Sequence, residues 1–79
     1  MDKTFHAFDS PVRRQILVYL SDGDLSYSEI KQQFDVTGPA TLYHLRTLLA
    51  GGLIRRYGPS RTAKYTLVKG NLVETFSAF

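Results

Sequence analysis

The sequence predicts a mainly α fold closed by a small β-hairpin, and three observations carry that prediction. Two helix starts are written into the first half, at Asp9-Ser10-Pro11 and at Ser26-Tyr27-Ser28-Glu29. A further helix begins after a short connection, Asp35-Val36-Thr37, and meets a stop at Gly51-Gly52. Beyond that stop the pattern changes to two β-favouring runs around a loop rich in turn residues.

The elements follow in order. Residues 4–8 read as a short helix with Thr4 as N-cap; Phe5 and Phe8 share a face and belong either to the core or to a subunit contact. Ser10 caps the next helix, and Pro11 takes its first position, where the missing N–H costs nothing. That helix is expected to run to about Leu20, with Val12, Ile16, Leu20 and partly Leu17 and Tyr19 buried. Arg13 and Arg14 fall in its first turn, where the helix dipole disfavours cations. An acidic partner is therefore expected for them ahead of a phosphate. Asp22-Gly23-Asp24 is a turn, and Leu25 suits a short strand.

Ser26 and Glu29 make a capping box, in which the serine caps and the glutamate reaches back to the N-cap amide. The helix from Tyr27 to about Phe34 turns Ile30 and Phe34 inward and leaves Lys31, Gln32 and Gln33 outside. Val36 is expected to plug the core between the helices. Thr37 caps the next helix, with Pro39 in its first turn.

This helix is the centre of the chain. Leu42, Leu45, Leu48 and Leu49 recur at helical spacing and predict one buried stripe. Ala40, Tyr43, His44 and Thr47 lie opposite, with Arg46 at the edge. Helix, short turn and longer capped helix make a helix-turn-helix. The glycine pair ends it. Leu53 to Tyr57 and Lys64 to Val68 then flank Gly58-Pro59-Ser60-Arg61-Thr62-Ala63, a hairpin with a cationic loop, or wing. Asn71 can cap a last helix with Leu72, Val73, Phe76 and Phe79 on one face, too short to stand without packing partners. The expected whole is a single winged helix-turn-helix domain over residues 1–79. Its helix-turn-helix spans about 26–51, its wing about 53–68, and terminal helices take 4–8 and 71–79.

Composition narrows the function. Seventy-nine residues bury only somewhat more than about 60% of the unfolded surface, so a second copy is an obvious source of stability. There is no cysteine, which removes disulfides and thiolate metal sites. Residues 1–8 lack the apolar run of a signal peptide, and no stretch is long enough to span a membrane, so a cytoplasmic protein is expected. Residues 1–35 hold four cations against six anions, whereas residues 36–79 hold six cations against Glu74 alone. Such asymmetry points to a polyanion as partner of the second half. Paired acids, a phosphate loop and a nucleophile–base arrangement are all missing, so no enzyme is expected. His6 and His44 lack ligand company, and neither metal nor cofactor is expected.

Three stretches resemble the winged helix-turn-helix repressors of the ArsR type. Phe8-Asp9-Ser10-Pro11-Val12-Arg13-Arg14-Gln15-Ile16-Leu17 is similar to that family's opening L-x-D-P-T-R-R-x-I-L. Leu25-Ser26-Tyr27-Ser28-Glu29-Ile30 is the second. The third is Pro39, then Tyr43-His44-Leu45-Arg46-Thr47-Leu48 and Gly52-Leu53-Ile54, which resembles P-T-V-S-x-H-L-x-x-L with A-G-L-V beyond it. The likeness covers about residues 5–68. It implies a dimeric regulator that binds double-stranded DNA, two recognition helices entering successive major grooves. It also implies a homodimer contact built from Phe5, Phe8, Leu72, Val73, Phe76 and Phe79.

The chain departs from that pattern early in the recognition helix. The family usually places a serine–glutamine pair, a threonine and a serine there; this chain has Thr37, Gly38, Ala40 and Leu42. Base reading is then expected from Tyr43, His44, Arg46 and Thr47, with Ala40 able to meet a thymine methyl. Thr37, Lys31, Gln32 and Gln33 would meet the flanking backbone. Arg55, Arg56, Arg61 and Lys64 would grip phosphates, Arg61 at the wing tip entering a minor groove. The alternative is a winged-helix module that binds proteins without sequence-specific DNA contact, and the small apolar start Gly38-Pro39-Ala40 favours it.

Overall fold

Ser10 opens helix α1, Pro11–Ser21, in a computed structural model that describes residues 10–68. Its backbone is extended, and its hydroxyl oxygen accepts a hydrogen bond from the Arg13 amide at 3.4 Å. Ile16, Leu17 and Leu20 form the buried face of α1 and Val12 and Tyr19 flank it, as the spacing predicts. Strand β1, Leu25–Ser26, leads directly into helix α2, Tyr27–Gln32. Both halves of the capping box form: the Ser26 amide donates to Glu29 Oε1 at 2.9 Å, and the Glu29 amide donates to Ser26 Oγ at 3.2 Å.

Helix α2 is two residues shorter than expected. The amides of Gln33 and Phe34 fall back on the carbonyls of Ile30 and Lys31, three residues earlier, and this tightening ends the helix. Phe34 is thereby freed to set its ring edge-on to Tyr19, with centroids 5.6 Å apart. Val36 is half-buried and stands outside the core cluster, so it does not plug the space between the helices as expected. Its carbonyl instead accepts from Lys31 Nζ at 3.4 Å.

Helix α3, Gly38–Ala50, starts at Thr37, whose Oγ1 accepts from the Ala40 amide at 3.2 Å. The Tyr27 hydroxyl reaches from α2 to the Gly38 carbonyl at 3.5 Å, and a Cβ on residue 38 would stand 3.1 Å from that oxygen. Glycine therefore permits the close approach of the two helices at their corner. The buried face of α3 is Thr41, Leu45 and Leu48. Leu42, assigned to the stripe by spacing, is 37% exposed, while Thr41 is 1% exposed. A residue 100° around the helix from Thr41 cannot share its face. The buried position tolerates a threonine because its hydroxyl donates to the Thr37 carbonyl at 2.9 Å.

The end of α3 is fixed by its glycines. Gly52 adopts φ 74°, a left-handed conformation cheap only for glycine. Its amide bonds the Leu49 carbonyl and the Leu53 amide bonds the Leu48 carbonyl, each at 3.1 Å. That pair of bonds turns the chain sharply and brings Leu53 back beside Leu48, both fully buried. Strand β2, Ile54–Tyr57, and strand β3, Lys64–Leu67, follow. The sheet has three antiparallel strands in the order β1-β3-β2, so the hairpin gains β1 as a third member. Ile54, Leu53 and Tyr65 close the core over Ile16, Ile30, Leu45 and Leu48. Phe5, Phe8, Leu72, Val73, Phe76 and Phe79, and the helices expected at 4–8 and 71–79, lie outside the described residues.

Candidate nucleic-acid interface

The outward side of α3 carries Tyr43, 54% exposed, the exposed Arg46 and the half-buried Ala40 and Thr47. The Thr47 hydroxyl donates to the Tyr43 carbonyl at 2.9 Å, so toward an outside partner it offers lone pairs and a methyl group. Thr37 is exposed, but its side-chain oxygen is already the helix cap. Gln32 and Gln33 are exposed at the end of α2, beside the turn that leads into α3.

His44 is held differently from its neighbours on α3. It is half-buried on the flank turned toward α1, and Arg13 Nη1 lies 3.0 Å from its Nδ1. Arginine can only donate, so Nδ1 accepts and the ring proton of a neutral imidazole sits on Nε2. Burial, and then the Arg13 charge, hold the imidazole below its usual 6.5. Arg13 itself is only 4% exposed, and its guanidinium carbon is 5.8 Å from the Tyr43 ring centroid. This arginine thus meets a histidine and an aromatic face, contacts that its place in the first turn of α1 does not announce.

The strand pleat sorts the wing's cations. Side chains alternate across a strand, so Ile54 and Arg56 share the helix side of β2 while Arg55 and Tyr57 share the outer side. The register agrees, because Arg56 stands opposite the buried Tyr65 and Tyr57 opposite Lys64. Arg56 Nη2 donates to the Ser60 carbonyl at 3.1 Å and bridges the wing turn. Tyr57 donates its hydroxyl proton to Asp24 at 2.6 Å, which ties the outer face of the wing to the turn before β1. That carboxylate pushes the Tyr57 hydroxyl above its usual 10.

Between the wing and the helix-turn-helix lies a cleft of about 440 Å³. Arg56, Arg61 and Lys64 line it from the wing, Ser26 and Ser28 from the start of α2, and Leu42 from α3. Arg55 is absent from its walls. Glu29 also borders the cleft, but its carboxylate is engaged in the capping box. The Ser26 amide and then its hydroxyl hold Glu29 below the usual carboxylate range, with Lys64 adding to the effect. The arrangement presents cations, hydroxyls and the exposed aliphatic side chain of Leu42 in a single concave surface beside the exposed side of α3. Such a surface suits a phosphate backbone together with an apolar group.

Sequence reasoning missed two members of this region. Leucine spacing alone places Leu42 in the core, but Thr41, four residues before Leu45 and seven before Leu48, completes the buried face instead. No local signal marks the Arg13–His44 pairing, which joins residues far apart in the chain.

Residues 8–57 match the family described as "Helix-turn-helix domain". The chain is 30% identical over 67 residues to the transcriptional repressor SdpR of Bacillus subtilis, spanning 85% of this chain and 74% of that protein. Among solved structures, an ArsR family transcriptional regulator superposes with a TM-score of 0.84 at 31% identity, over 96% of this chain and 80% of that one. An ArsR-like transcriptional regulator from a Rhodococcus species superposes with a TM-score of 0.83 at 28% identity, over 96% and 72%.

Proposed function

The chain belongs to the ArsR-type winged helix-turn-helix family of DNA-binding transcriptional regulators, which are not enzymes, and on that premise we propose that it acts as a homodimeric repressor. Each protomer lays α3 in a major groove and its wing along the neighbouring backbone. Tyr43, Arg46 and Thr47 face the bases, with His44 beside them on the α1 flank. Arg56, Arg61 and Lys64 meet phosphates, Arg61 reaching furthest along the wing toward a minor groove. Gln32, Gln33, Lys31 and Thr37 meet the backbone beside the helix, and Arg55 adds charge at longer range. Phe5, Phe8, Leu72, Val73, Phe76 and Phe79 make the subunit contact that spaces the two α3 helices about 34 Å apart, one turn of B-DNA. The protein works in the cytoplasm, bound to double-stranded DNA. Among the described residues, no helix is long and apolar enough to cross a membrane.

The reading rests on one observation above the others: the cationic cleft of the wing opens directly beside the exposed side of α3. A helix fits the roughly 12 Å major groove, and the phosphates at the groove's edge then fall where the cleft lies. Sedimentation equilibrium of the protein alone and with a duplex at low and high salt tests the proposal. A dimer alone, and a dimer on duplex that dissociates as salt rises, are expected. A monomer under every condition removes the dimer, and the absence of binding to any duplex at low salt removes the DNA contact.

A further inference from the structure

Tyr43 and Arg46 are exposed along α3, but the first turn of the helix has few hydrogen-bonding side chains to offer. Thr41 is buried, its hydroxyl donating to the Thr37 carbonyl, and the half-buried Thr47 donates its hydroxyl proton to the Tyr43 carbonyl, each at 2.9 Å. His44 has its Nδ1 taken by Arg13. What remains near the start of the helix is carbon: Ala40 and Leu42. Leu42 stands exposed at the lip of the cleft, with Arg56 and Arg61 of the wing across from it. With α3 in a groove and Arg56 and Arg61 on the phosphates, as the DNA-binding reading has them, an exposed leucine on α3 facing the same cleft is placed to meet a base edge. In the major groove the only aliphatic feature of any base is the C5-methyl group of thymine.

We infer that Leu42 is a specificity-determining residue, selecting a thymine in each half-site by contact with its C5-methyl group. The inference rests on the DNA-binding reading and adds what that reading lacks, a source of sequence choice near the start of α3. Leu42 selects by burying the methyl group from water, a contact that uracil cannot make. Burial of one such carbon is worth about 0.8 kcal/mol, which corresponds to roughly a fourfold change in affinity.

The test begins with duplexes selected by the wild-type protein from a random library. In the enriched duplex each thymine is replaced singly by uracil, which deletes only the methyl group. Wild-type protein is expected to bind one such duplex per half-site about fourfold more weakly, and Leu42→Ala to bind the thymine and uracil forms equally. Cytosine at that position should regain affinity for the wild type when it is 5-methylated. Because Leu42 is exposed, the variant is expected to keep its melting temperature; the uracil series on the wild type needs no variant at all. A selected duplex that is bound equally well with uracil at every position overturns the inference and leaves the DNA-binding reading intact. Discrimination that persists in Leu42→Ala overturns the role of Leu42. A protein that enriches no duplex overturns the underlying reading, and the inference with it.

Discussion

Arg13 Nη1 stands 3.0 Å from His44 Nδ1, so the buried arginine at the start of α1 adds to burial in favouring the neutral form of a histidine on α3. The contact exists only while the imidazole is neutral, since a protonated ring would face the arginine with a donor and a like charge.

A pH dependence follows. His44 is held below its usual 6.5 in the folded chain by burial and then by Arg13. The folded state therefore binds protons less readily than the unfolded one, and stability must rise with pH. This contribution is full above about 6.5 and is lost as the pH falls through the lowered folded value. Urea denaturation between pH 8 and pH 5 should show that decline in the wild type and a flatter profile in His44→Gln. In an NMR titration, Arg13→Gln should move His44 back toward its ordinary value. An unchanged His44 titration in that variant would contradict the pairing.

The capping box makes a second prediction. Ser26→Ala removes the oxygen that accepts the Glu29 amide and should cost about 1 kcal/mol. In a domain of this size that corresponds to a fall of about 4–8 °C in melting temperature. Glu29→Gln keeps an acceptor for the Ser26 amide, and its melting temperature should fall less than that of Ser26→Ala.

Gly38 offers a sharper test of how α2 and α3 meet. An alanine in a helix normally stabilises by about 0.4–1 kcal/mol relative to glycine when its geometry is tolerated. Here the new Cβ would stand 3.1 Å from the Tyr27 hydroxyl oxygen. Gly38→Ala should therefore show no gain with tyrosine at position 27. It should show a gain in the Tyr27→Phe background. Equal effects in both backgrounds would mean that the hydroxyl does not limit the corner.

Much of this architecture is legible in the chain because its signals are local. Ser10-Pro11, Ser26 with Glu29, Thr37 and the Gly51-Gly52 stop each act within four residues, and the structure uses every one of them. The wing was legible for the same reason, its strands being β-favouring runs around a turn. The placement of individual side chains depends on tertiary contacts and was harder to read. Leucine spacing alone put Leu42 inside, whereas packing chose Thr41, whose hydroxyl finds a carbonyl within its own helix. The pairing of β1 with β3 joins segments some forty residues apart, and no local pattern announces it. The cationic half of the chain was plain from composition. Its division into an inner Arg56 and an outer Arg55 becomes visible only with the strand register.

That division separates two neighbouring arginines experimentally. Arg56 and Arg61 line the cleft and Arg55 does not. Arg56→Glu or Arg61→Glu should weaken duplex binding by more than tenfold at low salt, and Arg55→Glu by distinctly less. Fluorescence anisotropy with one labelled duplex ranks the three. Equal losses would mean that the wing acts only as a diffuse charge. Full regulatory function in the triple reversal would favour the protein-binding module over DNA contact.

The most direct test of the account is the salt dependence of duplex affinity. Each phosphate neutralised releases counterions and contributes about −0.9 to the slope of log affinity against log salt. The wild-type protein should show a steep negative slope, and Arg61→Gln should make it shallower by about 1, as expected for a cation that meets a phosphate. A duplex affinity that is absent at low salt, or indifferent to salt, would contradict the assignment of the cleft and α3 to DNA.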